Sequence, residues 1–215
     1  MQVIIDGFIN GITQTSGLEW VAVTTGLLSV WFSMKENILV YPFGIVSVLI
    51  YVHLAFNYQL YADMGVNSYY FVMSVYGWYH WKDTKDSARV QIPITTNSRT
   101  EWMISAGILI GSFLILSFVL INFTDSDVPI WDATTTCFAI TGMWLMAQKK
   151  LEHWLAWIIT DLISIPLYFY KGLILTSVQF LIFTILAIAG FIAWKNSLSN
   201  QDDNLAIGSN TVSAS

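Results

Sequence analysis

Apolar runs close to membrane-spanning length recur along the chain and are separated by short polar segments. A helix that crosses the hydrocarbon core of a bilayer needs about 20 predominantly apolar residues. Seven runs come near that length, so the pattern predicts an all-α membrane protein with seven transmembrane helices. The predicted helices cover about residues 17–34, 38–56, 64–81, 102–123, 130–148, 154–170 and 173–195.

The composition agrees with a membrane location. Hydrophobic residues make up 55% of the 215 residues and charged residues 11%, whereas soluble domains usually carry about 25% charged residues. The formal net charge is −5, and no basic stripe indicates nucleic-acid binding. Cys137 is the single cysteine, which excludes an intramolecular disulfide and a metal site built on paired cysteines. We expect neither a metal nor a cofactor.

The basic residues predict the orientation in the membrane. Seven helices would place eight of the nine Lys and Arg residues on one side: Lys35, Lys82, Lys85, Arg89, Arg99, Lys149, Lys150 and Lys195. The positive-inside rule makes that side cytoplasmic. We therefore expect the N-terminal segment 1–16 outside, the loop 82–101 in the cytoplasm, and a polar, disordered cytoplasmic tail over 196–215.

Short sequence matches indicate an internal repeat. "GWYHWK" at 77–82 matches "GFIAWK" at 190–195, "SVLIY" at 47–51 matches "SIPLY" at 164–168, and "TG" at 25–26 recurs at 141–142. The offsets are 113, 117 and 116 residues. Such matches also arise by chance in an apolar background, but their shared order favours a repeat. We predict parallel three-helix repeats at 17–81 and 130–195, joined by a linking helix at 102–123, which is the 3+1+3 arrangement of SWEET proteins.

One face of the sixth predicted helix combines aromatic side chains with a carboxylate. Its members, which fall within roughly 80° of helical arc, are Trp154, Trp157, Asp161, Ser164 and Tyr168. A carboxylate near the bilayer centre costs roughly 2.5–3.5 kcal/mol, and the apolar parts of the predicted helices offer no Lys or Arg to pair with it. Aromatic rings beside one carboxylate suit a flat organic cation. We predict a substrate-binding face; the alternative is a protonated structural carboxyl.

Further candidates for substrate contact lie on three other predicted helices: Asn67, Trp78 and Trp81 on the third, Trp144 on the fifth, and Gln179 on the seventh. Intramembrane amides often only link helices, at about 0.6 kcal/mol on average, so a structural role is an equal alternative for each amide. Pro42 and Pro166 are expected to interrupt the second and sixth helices. An intramembrane enzyme would need a second acid, a metal set or a nucleophile beside Asp161, and the sequence shows none. We therefore expect a protein that is not an enzyme.

Four stretches resemble the Pnu family of vitamin transporters: "LYADMGVNSYYFVMSVYGWYHW", "YPFGIVSVLIY", "LEHWLAWIITDLIS" and "KGLILTSVQF". The likeness covers about residues 17–196. The family's Trp-x-x-Trp-x-x-x-Asn/Asp motif falls on Trp154, Trp157 and Asp161, its Gly-Trp-Tyr-x-Trp motif falls on residues 77–81, and its amide falls on Asn67. The resemblance implies a homotrimer in the bacterial inner membrane, facilitated diffusion of a vitamin, and trapping of that vitamin by a cytoplasmic kinase.

The branches of this family carry nicotinamide riboside, thiamine or riboflavin. Asp161 departs from the asparagine of many nicotinamide riboside carriers. Because a carboxylate suits the aminopyrimidine and thiazolium groups of thiamine, we expect thiamine as the substrate. Nicotinamide riboside is the alternative, and a receptor or scaffold that does not transport is a third possibility.

Overall fold

The computed structural model describes residues 9, 11–13, 15–57, 61–82 and 92–212. These residues contain seven long helices: α1 (Gly17–Met34), α2 (Val40–Asn57), α3 (Tyr61–Lys82), α4 (Arg99–Phe123), α5 (Pro129–Ala147), α6 (His153–Tyr170) and α7 (Ile174–Val212). Apart from the end of α7, each helix begins and ends within a few residues of the range that the apolar pattern predicts. The predicted all-helical fold is confirmed.

Two helices begin with reciprocal side-chain caps that the sequence encodes. The Ser16 hydroxyl accepts from the Glu19 N–H at 3.2 Å, and the Glu19 carboxylate accepts from the Ser16 N–H at 2.6 Å. Ser98 and Glu101 make the same pair of bonds at the start of α4. Each capping box satisfies N–H groups that have no partner within the helix, at a gain of about 1 kcal/mol per cap.

By length and composition alone, three helices qualify to cross a membrane: α2, α4, and the Ile174–Gln201 part of α7. The other four have lower hydropathy because tryptophan, tyrosine and hydroxyl side chains interrupt their apolar positions. The topology of seven membrane crossings therefore stays a prediction.

The helices pack in two groups. Neighbours in sequence pack against each other from α1 to α3 and from α5 to α7, and the groups meet where α1 contacts α7 and α3 contacts α5. Within the described part of the chain, α4 packs against α5 alone. This grouping is compatible with the 3+1+3 arrangement, which stays a prediction.

The two groups match at one constant offset. Helices α2 and α6 have 18 residues each and begin 113 positions apart; α3 and α7 also begin 113 apart, and α1 and α5 end 113 apart. At this offset Ser47 corresponds to Thr160, and Tyr51 corresponds to Ser164. The predicted equivalence of "SVLIY" with "SIPLY" at an offset of 117 is therefore wrong, as is the "TG" match at 116, because neither preserves the helix limits.

Two tryptophan hydrogen bonds repeat at the same offset and join the two groups. The Trp81 indole N–H donates to the carbonyl of Met146 at 3.1 Å, and the Trp194 indole N–H donates to the carbonyl of Ser33 at 2.9 Å. Both donors and both acceptors are 113 residues apart. Each group therefore supplies a donor to the other group.

Two glycines create the space for this contact. A Cβ on Gly77 would lie 2.5 Å from the Tyr41 hydroxyl oxygen, and a Cβ on Gly190 would lie 2.5 Å from the Trp154 ring. Tyr41 and Trp154 are again equivalent at an offset of 113. We call the packed rings the tryptophan cluster, whose members are Tyr41, Trp81, His153, Trp154 and Trp194.

The loops next to this cluster meet at one end of the bundle, which we call the basic end. Lys149 Nζ lies 3.4 Å from Glu36 Oε2 and donates to the Ile92 carbonyl at 2.8 Å. Lys150 Nζ lies 2.6 Å from Glu101 Oε1. These bonds join the α1–α2 turn, the segment before α4, the first turn of α4 and the α5–α6 turn, which all lie at the predicted cytoplasmic side.

Two sequence expectations differ from the structure. The tail expected to be disordered from residue 196 continues α7 as far as Val212, since a helix that is already formed extends at little further cost. Pro42 lies in the first turn of α2, where a missing N–H breaks no helical bond, so it does not interrupt that helix. Pro166 does lie inside α6. Most of the N-terminal segment 1–16, and residues 83–91 of the loop 82–101, lie outside the described residues.

Candidate substrate-binding site

Two buried polar side chains on α6 define the candidate site. Asp161 is 4% exposed, and Ser164, one turn further on, is 2% exposed. Among the described residues, neither side chain has a hydrogen-bond or ion-pair partner. Most buried polar groups in proteins are hydrogen-bonded. A carboxyl and a hydroxyl one turn apart, both buried, are compatible with a ligand that supplies their hydrogen-bond partners.

Aromatic rings from α3 and α6 lie beside this pair. The Tyr70 and Trp157 rings pack edge to face, with centroids 6.3 Å apart and an interplanar angle of 63°. The Tyr70 side chain lies close enough to Asp161 and Tyr168 to interact with both electrostatically. The carboxylate thus stands beside aromatic side chains from two helices, as the amphipathic pattern of α6 predicts.

Side chains from α2 and α7 extend the site away from the basic end. The Tyr168 ring stacks on Phe180 with centroids 5.1 Å apart, and Tyr168 is within electrostatic range of Tyr51. The Tyr51 side chain in turn lies near the Gln179 side chain. We call this connected set the central site: Tyr51, Tyr70, Trp157, Asp161, Ser164, Tyr168 and Gln179.

Two of the expected site residues lie in the tryptophan cluster instead. Trp81 is fully buried and Trp154 is 2% exposed, and the Trp154 ring fills the space above Gly190. Both rings are in contact with Trp194, at centroid distances of 5.9 and 5.8 Å. The structure therefore places Trp81 and Trp154 in the packed core at the basic end, apart from Asp161.

Three other candidates lie outside the central site. Trp78 is half-buried, with Lys82 Nζ 4.8 Å from its ring centroid. Trp144 is half-buried against the core. The Asn67 amide donates to the carbonyl of Asp63 on its own helix at 2.9 Å. Within the described residues, no hydrogen bond or ring contact links these side chains to Asp161.

Tyr51 and Tyr70 were not predicted from the sequence as individual site residues. Tyr70 follows Asn67 by three positions and precedes Ser74 by four, so helical spacing places it on the same polar stripe of α3. Tyr51 is the α2 counterpart of Ser164 at the offset of 113. The correct repeat offset would therefore have indicated Tyr51.

Comparison with known proteins places the chain in a transporter family. Residues 16–196 match the family model described as nicotinamide mononucleotide transporter, and the chain belongs to this family. The resemblance to the Pnu transporters is thereby confirmed. The relatives described next are named as transporters, which also confirms that the protein is not an enzyme.

Three curated relatives match at similar levels. The nicotinamide riboside transporter PnuC of Escherichia coli (strain K12) is 26% identical over 206 residues, covering 85% of this chain and 86% of the relative. PnuC of Neisseria mucosa is 27% identical over 160 residues, covering 71% and 60%. The riboflavin/roseoflavin transporter RibM of Streptomyces davaonensis is 26% identical over 172 residues, covering 79% and 80%.

The fold has a match among solved structures. A crystal structure of the vitamin B3 transporter PnuC superposes with a TM-score of 0.69, covering 93% of this chain and 89% of that chain at 21% identity. At this identity the match shows a shared fold. Taken with the family model, it identifies a membrane transporter of the vitamin-carrying class.

Proposed function

We propose that the protein takes up nicotinamide riboside across the bacterial inner membrane. The observation that carries this proposal is the buried carboxyl of Asp161, one helical turn after Trp157, whose ring packs against Tyr70. Nicotinamide riboside has a flat pyridinium cation, a carboxamide and a ribose. It therefore supplies the charge and the hydrogen-bond donors that Asp161 and Ser164 lack.

Each part of the central site has a role in this proposal. The pyridinium lies against Trp157 and Tyr70, where a desolvated cation–π contact contributes about 2 kcal/mol. The Asp161 carboxylate balances the cation and accepts from the carboxamide N–H₂. Tyr51 and Gln179, at the other end of the site, are positioned to bond to ribose hydroxyls.

The names of the relatives support one of the two substrates considered from the sequence better than the other. Thiamine is also a cation with hydrogen-bond donors, so Asp161 alone does not separate it from nicotinamide riboside. The curated relatives above are named for nicotinamide riboside and riboflavin, which supports the alternative considered from the sequence better than thiamine. Riboflavin is uncharged and leaves a buried carboxylate without a counter-charge.

Uptake into proteoliposomes tests this function. With a single candidate acid in the central site, we expect facilitated diffusion: labelled nicotinamide riboside should equilibrate across the membrane without exceeding its external concentration. Excess unlabelled nicotinamide riboside should block entry, and excess thiamine should not. Accumulation driven by a proton or sodium gradient would contradict the diffusion mechanism. Uptake of thiamine in place of nicotinamide riboside would overturn the substrate, and no uptake of either would overturn both.

The proposed orientation has a separate test. If the basic end faces the cytoplasm, as the eight basic residues predict, then the N-terminus is outside and the C-terminus inside. A reporter enzyme that is active only in the cytoplasm should be active when fused after Ser215. The control is the same reporter inserted between Asp125 and Ser126, where it should be inactive. The reverse pattern would refute the orientation.

A homotrimer and trapping by a cytoplasmic kinase are further parts of the proposal. Large apolar side chains cover the outer face of α4, including Ile110, Leu114 and Phe118, each about 60% exposed. This face suits either lipid or a neighbouring subunit.

Trapping follows from the mechanism, since a carrier that only equilibrates its substrate needs a later reaction to retain it.

A further inference from the structure

Two charged residues occupy equivalent left-handed turns at the basic end. Glu36 has φ 54° and Lys149 has φ 55°, and they are 113 residues apart. The hydrogen bonds around them also match. The N–H of Glu36 donates to Ser33 and that of Lys149 to Met146, each to the carbonyl three residues earlier at 2.9 Å. The next N–H in each turn donates to the carbonyl five residues earlier.

This is the Schellman arrangement that ends many helices, in which the left-handed position is usually glycine. A side chain with a Cβ is unfavourable there. Strained residues of this kind persist where the surrounding structure holds them, often at ligand clamps and switches. The turns themselves do not need Glu36 and Lys149, so the reason for both residues lies in their side chains.

The two side chains meet between the two helix groups. Lys149 Nζ lies 3.4 Å from Glu36 Oε2, and the Lys149 side chain is 3% exposed against 28% for Glu36. Lys149 Nζ also lies 4.9 Å from the Trp81 ring centroid, and Glu36 Oε1 accepts from the Ser197 hydroxyl at 2.7 Å. The pair therefore connects the α1–α2 turn, α3, the α5–α6 turn and α7.

We propose that the Glu36–Lys149 pair is a latch that holds the two helix groups closed at the basic end and separates when the central site opens to that side. The latch rests on the proposed transport function, because a carrier must open its site to each side in turn. The contacts between the two groups at this end include the tryptophan hydrogen bonds and this ion pair, and opening by separation of the groups breaks them.

The burial of the two partners suits a contact that opens and closes. Burial lowers the pKa of Lys149, and the Glu36 carboxylate opposes that effect. Removing Glu36 would take a counter-charge away from a buried lysine, which is unfavourable. When Glu36 and Lys149 separate and water enters between them, both charges become solvated. This solvation offsets the loss of their mutual attraction. Because Glu36 is partly exposed to solvent and Lys149 is not, water would reach the pair from the Glu36 side.

Chemical labelling of a buried cysteine tests the latch. In a Cys137→Ala background, Ser33→Cys places a thiol at a 2%-exposed position, one turn inside Glu36. The alkylation rate by a water-soluble maleimide is measured on the purified protein in detergent. Lys149→Gly relieves the left-handed turn and removes the ion pair. We expect it to raise the Ser33→Cys alkylation rate at least about tenfold.

A charge exchange provides the matched control. Because each turn already accommodates the other's residue type at the same φ, Glu36→Lys with Lys149→Glu should rebuild the pair and return the rate to that of the background. A second reporter, Ser177→Cys, occupies a buried position near the opposite end and should stay protected throughout. An unchanged rate in Lys149→Gly, no recovery in the exchange, or equal labelling of both reporters would each overturn the latch. All three results are independent of whether the protein transports nicotinamide riboside.

Discussion

Replacing Asp161 with leucine should weaken binding of nicotinamide riboside about 100-fold, because a hydrogen bond to a charged group contributes about 1.5–3 kcal/mol and the counter-charge is lost as well. The same change should make the protein more stable. A buried carboxyl without a partner is unfavourable, and an apolar side chain of similar size removes that cost. Each kcal/mol gained should raise the Tm by about 2–4 °C in a protein of this length. The measurements are calorimetric binding and thermal unfolding of the purified protein.

Two variants accompany that measurement. Asp161→Asn keeps the shape and one acceptor and should cost about tenfold in affinity. Thr160→Val changes the adjacent buried position, where the hydroxyl already bonds to the Ala156 carbonyl of its own helix at 2.9 Å; its affinity should stay near wild type. If Asp161→Leu binds nicotinamide riboside normally while well folded, Asp161 is a structural residue and does not belong to the site.

Alanine at Gly77 and Gly190 should strongly destabilise the protein. Each added Cβ would lie 2.5 Å from an aromatic side chain, closer than any real contact, so Tyr41 or Trp154 must move and the neighbouring tryptophan hydrogen bond weakens. Overpacking of this kind costs about 1–3 kcal/mol per site. The double variant should lose about 5–15 °C in Tm, as measured by thermal unfolding in detergent.

The fourth helix offers a matched control for these glycines. Gly107 and Gly111 also lie inside a helix, but nothing lies within 4 Å of an added Cβ. Alanine there should be neutral or stabilising, by up to about 1 kcal/mol per site, because glycine weakens a helix interior. Equal loss of stability from both pairs of substitutions would show that close packing of Tyr41 and Trp154 is not the cause.

The helices could be predicted because the signal for them is local. Apolar runs and the capping boxes at Ser16 and Ser98 depend on residues a few positions apart. The grouping of Trp157, Asp161, Ser164 and Tyr168 on one face was predictable for the same reason, since helical periodicity is a property of one segment.

The rest of the site required the tertiary structure. An aromatic residue on a helix face gives the same pattern whether it lines a binding site or fills the space above a glycine. Trp154 and Trp157 therefore could not be distinguished in the sequence. The structure distinguishes them because Trp154, and not Trp157, packs against Gly190 on another helix. Tyr51 and Gln179 lie on α2 and α7, two helices far apart in the sequence, and no spacing within one helix predicts that their side chains come together. The residues alone did not separate thiamine from nicotinamide riboside, because a carboxylate suits any cation of suitable shape; the names of the relatives support nicotinamide riboside better.

The crossed tryptophan bonds have a consequence for how the protein is made. The carbonyl of Ser33 receives its hydrogen bond from Trp194, which lies 161 residues later, and Trp81 donates to a carbonyl 65 residues later. The first three helices therefore leave the ribosome with an indole and a carbonyl whose partners have not yet been synthesised. Until α7 has entered the membrane, the basic end has neither its full set of hydrogen bonds nor the Ser197–Glu36 contact. Long-range pairing of this kind is slow to form, so a chain interrupted before α7 presents unpaired polar groups that quality-control proteases and chaperones can recognise.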